Sequence, residues 1–260
     1  MWQSLRNERN KTMKSVIIFA VLCLCCVSAV NSQDKCQYNI IDIDEVNGKN
    51  ILISTGQLVN GVACSYHDNL GINTEMPFKD GKREGVSRHY YENGKLWKEA
   101  PYKDNVLEGI EKRYYENGQL EAECPYENGK QEGISNWYHE NGKLWRETSH
   151  KDNRQEGITR HYYESGKLWW ETPYKDGKAD GLESWYYESG GLQEEFTFKN
   201  GKREGYRQIF TENGRLLMKM LYRSDNPVSG ACGDGRAFTA AEIKSEQIGA
   251  CKPQEGTVEK

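Results

Sequence analysis

The chain has 260 residues, enough for one large domain or two small ones, with 36% apolar side chains, 28% charged side chains and a mean hydropathy of −0.89. Its 16 Tyr and 7 Trp exclude a disordered chain, and its low aliphatic content excludes a thick core, so the 26 glycines point to a repetitive β protein. The net charge of −4 excludes bulk attraction to nucleic acid.

The first 32 residues read as a secretory leader. Arg6, Arg9, Lys11 and Lys14 precede an apolar run from Ser15 to Val30, which is short for a bilayer span, and cleavage after Ala29 or Ser32 is expected. Met13 is an alternative start that keeps the leader intact. Cys23, Cys25 and Cys26 raise lipid anchoring as a minor alternative, but no small residue suits the position before them. Losing this segment removes four basic side chains and one acidic one, leaving 31 against 38, a net of −7.

Residues 33–65 are predicted to form a small β cap. An Asn47-Gly48 hairpin lies between Cys36 and Cys64.

From residue 66 to 230 the chain repeats with a period of 24. Tyr90, Tyr114, Tyr138, Tyr162, Tyr186 and Phe210 share one slot, and Leu96, Leu120, Leu144, Leu168, Leu192 and Leu216 share another. Gly94 and its copies form a third series, and Gly85 and its copies a fourth. Seven units result, the first degenerate. Each predicts a hairpin: a strand over Val86–Tyr91, a turn at Glu92-Asn93-Gly94, a strand over Lys95–Tyr102, and a Gly- and Asp-rich connection.

Two registers compete. A two-residue loop pairs Tyr91 with Leu96 and Arg88 with Glu99. A three-residue loop closed by a left-handed glycine pairs Tyr90 with Leu96 and His89 with Trp97. The second is preferred, because the 89/97 pair and its copies change together in chemical kind, as at Arg113/Glu121 and Ile209/Leu217. It predicts a packed face of Val86, Tyr90, Leu96, Ala100 and Tyr102, and an exposed face of His89, Tyr91, Trp97 and Glu99. The expected fold is all-β: an elongated, twisted antiparallel sheet of stacked hairpins with small disulfide-bracketed caps.

Residues 231–260 predict a C-terminal cap. Thr239 and Glu242 form a capping box for a short helix, with Gly249 as its stop. The bracketing suggests Cys36–Cys64 and Cys232–Cys251 disulfides, each stabilising by roughly 3 kcal/mol, although spacing alone does not set connectivity. Cys124 shares the slot of Ala100, Thr148 and Thr172 and reads as a buried free thiol.

The unit G-[IV]-x-x-x-Y-Y-E-N-G-x-L-x-x-E-x-x-Y-x-x-G-x-x-E-G resembles the MORN repeat variant of many bacterial proteins, members of which are often described as antitoxin-like. The resemblance implies stacked β-hairpins and an interaction or scaffolding role, with membranes and phospholipids among the ligands of eukaryotic MORN repeats.

The residues themselves point away from catalysis. All five histidines fall in repeat slots held elsewhere by Tyr, Arg or Trp, and no zinc-like spacing occurs. Glu75, Glu99, Glu123, Glu147, Glu171 and Glu195 form one column, ~9.6 Å apart by sheet spacing, which suits a solvated ladder paired with Lys and Arg better than a unique acid–base pair. No phosphate loop or nucleophile elbow appears. No catalytic residue, cofactor or metal is therefore expected. The candidate partner-binding residues are Tyr91, Trp97, Trp145, Trp169, Trp170 and Tyr187, exposed aromatics beside carboxylates. The reading is a secreted or periplasmic scaffold for another protein, with a glycan- or phospholipid-binding surface module as the alternative.

Overall fold

A computed structural model describes residues 35–246 and Cys251. The expected leader, its three cysteines and the Gly249 stop lie outside the described residues. No helix among the described residues is long and apolar enough to cross a membrane.

One sheet of 20 strands runs through the chain. Seven long hairpins follow one another in sequence, starting with Gly61–Tyr66 and Ile72–Lys79 and ending with Lys202–Phe210 and Leu216–Arg223. All pair antiparallel. The exception in the sheet is Tyr38–Asn39, which lies parallel to Ala63 and Cys64 and covers the first edge.

Each unit turns twice. At one end, Gly94 N–H donates to Tyr91 O at 2.9 Å and Tyr91 N–H to Lys95 O at 2.8 Å, with Gly94 at φ +80°. This is the three-residue loop, and glycine adopts that left-handed φ without a Cβ penalty. At the other end, Asp80-Gly81 and its copies form two-residue turns with both φ values positive, the primed geometry that matches strand twist. The Glu of each Glu-Gly dipeptide caps the next such turn: Glu84 Oε2 accepts from Asp104 N–H at 3.0 Å, and Glu108 Oε2 from Asn128 N–H at 2.7 Å.

The register corrects the expected pairing. Tyr90 pairs with Leu96, but His89 pairs with Lys98 and Arg88 with Glu99, not His89 with Trp97. Trp97 is an extra residue, a β-bulge, and the same shift recurs in every unit. The two competing registers are each right on one side of this bulge.

The bulge also exchanges the predicted faces. Ala100 and Tyr102 lie opposite Ser87 and Gly85, on the side of His89 and Lys98, which we call the inner face. Val86, Arg88, Tyr90, Leu96, Glu99 and Pro101 share the outer face. The expected packed row through Val86 is therefore largely exposed: Ile110, Ile134, Ile158 and Leu182 are 51, 54, 40 and 47% accessible. The buried row is instead Ser87, Ala100, Glu111, Cys124, Ser135, Thr148, Thr159 and Thr172 on the inner face. A single-layer sheet has no second layer to cover it, so small residues are buried beneath larger side chains of the flanking rows.

Apolar cores form at the two ends. Val59, Ala63 and Phe78 pack with Tyr38, Ile40, Ile43 and Leu52 at the first, where the expected Asn47-Gly48 turn joins Ile43–Val46 to Lys49–Leu52. Met218, Met220, Tyr222, Cys232 and Phe238 pack with Leu217 and Ile243 at the other. The helix Ala240–Ser245 carries the predicted Thr239–Glu242 capping box, and Glu246 ends it in the left-handed region. Disulfides join Cys36 to Cys64 and Cys232 to Cys251, and Cys124 is a buried free cysteine.

Candidate functional site

The inner face carries a row of large side chains beside the buried small ones. Strand pairing sets its order as Lys98, Arg113, Ala122, Trp137, Arg146, His161, Trp170, Trp185 and Glu194. The bulge residues Trp97, Glu121, Trp145, Trp169 and Gln193 lie next to this row. Adjacent strands bring residues from Lys98 to Glu194 onto one continuous surface.

Its centre is a stack of rings. His161 and Trp170 lie 3.9 Å apart at 13°, and Trp170 and Trp185 lie 5.2 Å apart at 22°. Trp145 meets the edge of His161 at 5.5 Å, and Trp169 that of Trp185 at 5.6 Å. Arg146 places its guanidinium carbon 4.7 Å from the Trp137 centroid. Burial, reinforced by the Arg146 charge, holds the His161 imidazole down at about 4. Burial and then Lys98 lower His89 as well.

The sequence-predicted aromatics divide by role. Trp97 and Trp169 are 41 and 39% exposed. Trp145 and Trp170 are half-buried within the ring stack. Tyr91 and Tyr187 are struts between units: their hydroxyls donate to Tyr114 O and Phe210 O, both at 2.8 Å. Tyr115 and Tyr163 do the same to Tyr138 O and Tyr186 O. The sequence reading assigned no role to Trp137, Trp185, His161 or Arg146 as one row. Aligning the units with the bulge in place would have brought them together.

Several charged groups on the two faces are paired. On the outer face Arg88 meets Glu99 at 3.0 Å, Lys112 meets Glu123 at 3.3 Å, and Arg160 bridges Glu147 and Glu171 at 3.0 and 3.1 Å. These are the paired carboxylates of the predicted ladder, but they lie opposite the Trp row, not beside it. On the inner face Glu111 is 4% exposed and lies between Lys98 at 2.9 Å and Arg113 at 3.0 Å.

The outer face adds a second surface. Ile110 is paired with Pro125, Ile134 with Ser149, Ile158 with Pro173 and Leu182 with Thr197. The four aliphatic residues recur every second strand, ~9.6 Å apart.

The chain matches solved structures only in part. A mutant S. aureus TarM, crystallised with Fondaparinux, alpha-GlcNAc-glycerol and UDP, is 12% identical, with 37% of this chain and 19% of that chain covered at a TM-score of 0.27. A second TarM structure is 14% identical, covering 36% and 20% at 0.26. The chain thus spans about a fifth of the length of these proteins. No curated protein matches it. The family model described as MORN repeat variant matches residues 83–104, 107–128, 131–152, 155–176 and 179–200 in unbroken succession. The match carries the repeat and not the antitoxin-like description. With this phase, the recurring Tyr-Tyr-Glu-Asn-Gly turns and the stacked hairpins together, residues 83–200 are a run of five MORN repeat variant units.

Proposed function

We propose that this protein is a non-enzymatic scaffold that binds a protein partner along its sheet. MORN repeats generally take part in protein or membrane-lipid interactions. One observation supports the protein reading: the row of Ile110, Ile134, Ile158 and Leu182, each 40 to 54% exposed and repeated in four successive units. Single exposed aliphatic residues are ordinary, but a continuous row at the repeat spacing marks an interaction surface. The Arg–Glu ladder beside it supplies the polar rim of a protein interface. Trp97 and Trp169 offer exposed rings on the opposite face.

The two disulfides point to a compartment outside the cytoplasm. A secreted or periplasmic location after removal of the leader fits them. The second reading is attachment to a membrane or glycan surface, which the apolar row also favours. The acidic balance of the chain disfavours anionic lipid.

Capture from native envelope extracts tests both. Wild type, an Ile110→Glu/Ile134→Glu/Ile158→Glu variant and a Trp97→Ala/Trp145→Ala/Trp169→Ala variant serve as baits. A discrete protein recovered by wild type and lost by the Glu variant is the expected result. Equal recovery by all three baits would remove the reading, and flotation with neutral liposomes lost in the Glu variant would favour the second.

A further inference from the structure

We propose that the inner face carries one binding site for an organic cation, an alkylammonium or guanidinium group, in the depression between hairpins 109–127 and 133–151. The site is independent of the outer aliphatic row.

The depression arises where the repeat departs from its own pattern. The bulge slot holds Trp at 97, 145 and 169 but Glu at 121. Trp97 packs 6.4 Å from Tyr91, and Trp169 packs 5.7 Å from Tyr163. Beside Tyr115 the equivalent ring is missing, and a concavity opens there. Tyr115, Trp137 and Trp145 line it together with Glu121, Glu140 and Glu164.

The carboxylates of this depression differ from those of the paired ladders. Glu99, Glu111, Glu123, Glu147 and Glu171 each have a Lys or Arg partner. Among the described residues, Glu121, Glu140 and Glu164 have neither an ion pair nor a side-chain hydrogen bond. In the preceding unit the turn carboxylate Glu116 accepts from Asn93 Nδ2 at 2.8 Å, so that unit satisfies the group that Glu140 leaves open. No Lys or Arg lines the depression.

The rings supply the other half of the recognition. An aromatic face attracts a cation through its quadrupole, and the attraction grows as water is excluded. Trp137 already interacts this way with Arg146 at 4.7 Å. Rings with unpaired carboxylates at the rim suit a cation on an apolar stem. Such a group is found on a Lys or Arg side chain of a partner protein and on a small quaternary ammonium compound. Anions would be repelled.

The full disulfide-bonded chain tests the proposal by calorimetric titration. The probes are tetramethylammonium chloride, a short peptide bearing Lys and Arg, and a neutral tert-butyl alcohol as isostere, all at matched ionic strength. Wild type is expected to bind both cations saturably and the isostere not at all. Glu121→Trp installs the residue that the slot holds in three other units, so the fold tolerates it while the depression fills. It is expected to weaken both cations by about tenfold or more. Glu140→Gln with Glu164→Gln, both exposed, should weaken them without filling space. Peptide binding much tighter than tetramethylammonium binding would identify a protein side chain as the ligand, and equal binding a free cation. No saturable response to either cation, or equal binding by wild type and both variants, overturns the proposal.

Discussion

The phenol of Tyr91 donates a 2.8 Å hydrogen bond to the backbone carbonyl of Tyr114, one unit further along the sheet. The same strut ties Tyr115 to Tyr138 and Tyr163 to Tyr186, but at His139 it fails: His139 Nε2 is buried without a hydrogen-bond partner among the described residues. A half-buried carbonyl that loses its donor costs about 1 kcal/mol. Tyr115→Phe should therefore lower stability by about that amount, and His139→Tyr should raise it by a similar amount. Urea midpoints of the two variants check the opposite signs.

The turn and step glycines separate two kinds of strain. Gly118 sits at φ +91° with no atom within 4 Å of an added Cβ, so Gly118→Ala meets conformational strain alone and costs about 1 kcal/mol. Gly181 sits at φ +133°, and an added Cβ would lie 2.6 Å from Pro173 Cγ. Gly181→Ala should be the more destabilising of the two. Thermal melts of both variants measure the order, and equal melting temperatures would contradict it.

Glu111 gives an asymmetric prediction. It is buried, whereas the Lys98 and Arg113 side chains that hold it are 23 and 43% exposed. Glu111→Ser places in the slot the residue found at Ser87 and Ser135, and it leaves cations that reach water. Its cost should stay within about 1 kcal/mol. Removing both cations as Lys98→Ala/Arg113→Ala strands a buried carboxylate and should cost about 3 kcal/mol or more. Denaturant titrations of the two variants decide it.

His161 predicts acid sensitivity. Its folded value, about 4, lies below the ordinary 6.5, so the unfolded chain takes up the proton first as pH falls. Stability is full above the ordinary value and declines as pH drops from there toward 4. The lowered His89 acts in the same direction. His161→Trp, the residue at 137 and 185 in this row, should flatten the decline. Urea midpoints at several pH values across this window report it.

Cys124 predicts a silent thiol. It is buried, and burial raises its pKa, so the reactive thiolate is disfavoured. A thiol reagent should leave Cys124 unlabelled in the folded chain and label it on unfolding without reductant. Rapid labelling of Cys124 in the folded chain would contradict this burial.

Much of the array was legible because each unit touches mainly its neighbours. The 24-residue period, the glycine turn, the Tyr90–Leu96 pair and the Thr239 capping box depend on short-range chemistry, and all four appear as expected. The bracketing of the caps suggested the cysteine pairs that the structure joins, although only the structure sets the connectivity. The candidate aromatics were picked out in the sequence without the structural roles that divide them. Tyr91 looked like an outward side chain, because the carbonyl it reaches lies 23 residues away and has no signature of its own.

By itself the sequence determined the period, the hairpins and the ends. A residue's left-handed turn preference and a strand's β-branched content act within a few positions, so a linear pattern records them. Only the tertiary structure decided the faces. The bulge at Trp97 inserts one residue on one strand, and side chains alternate with a period of two, so everything beyond it changes sides. That single step exposed Ile110 and its copies, buried the Ser, Ala and Thr row, and separated the Glu ladder from the Trp row. It also made Glu121, an ordinary substitution in the linear repeat, the place where the ring beside Tyr115 is missing and the surface opens.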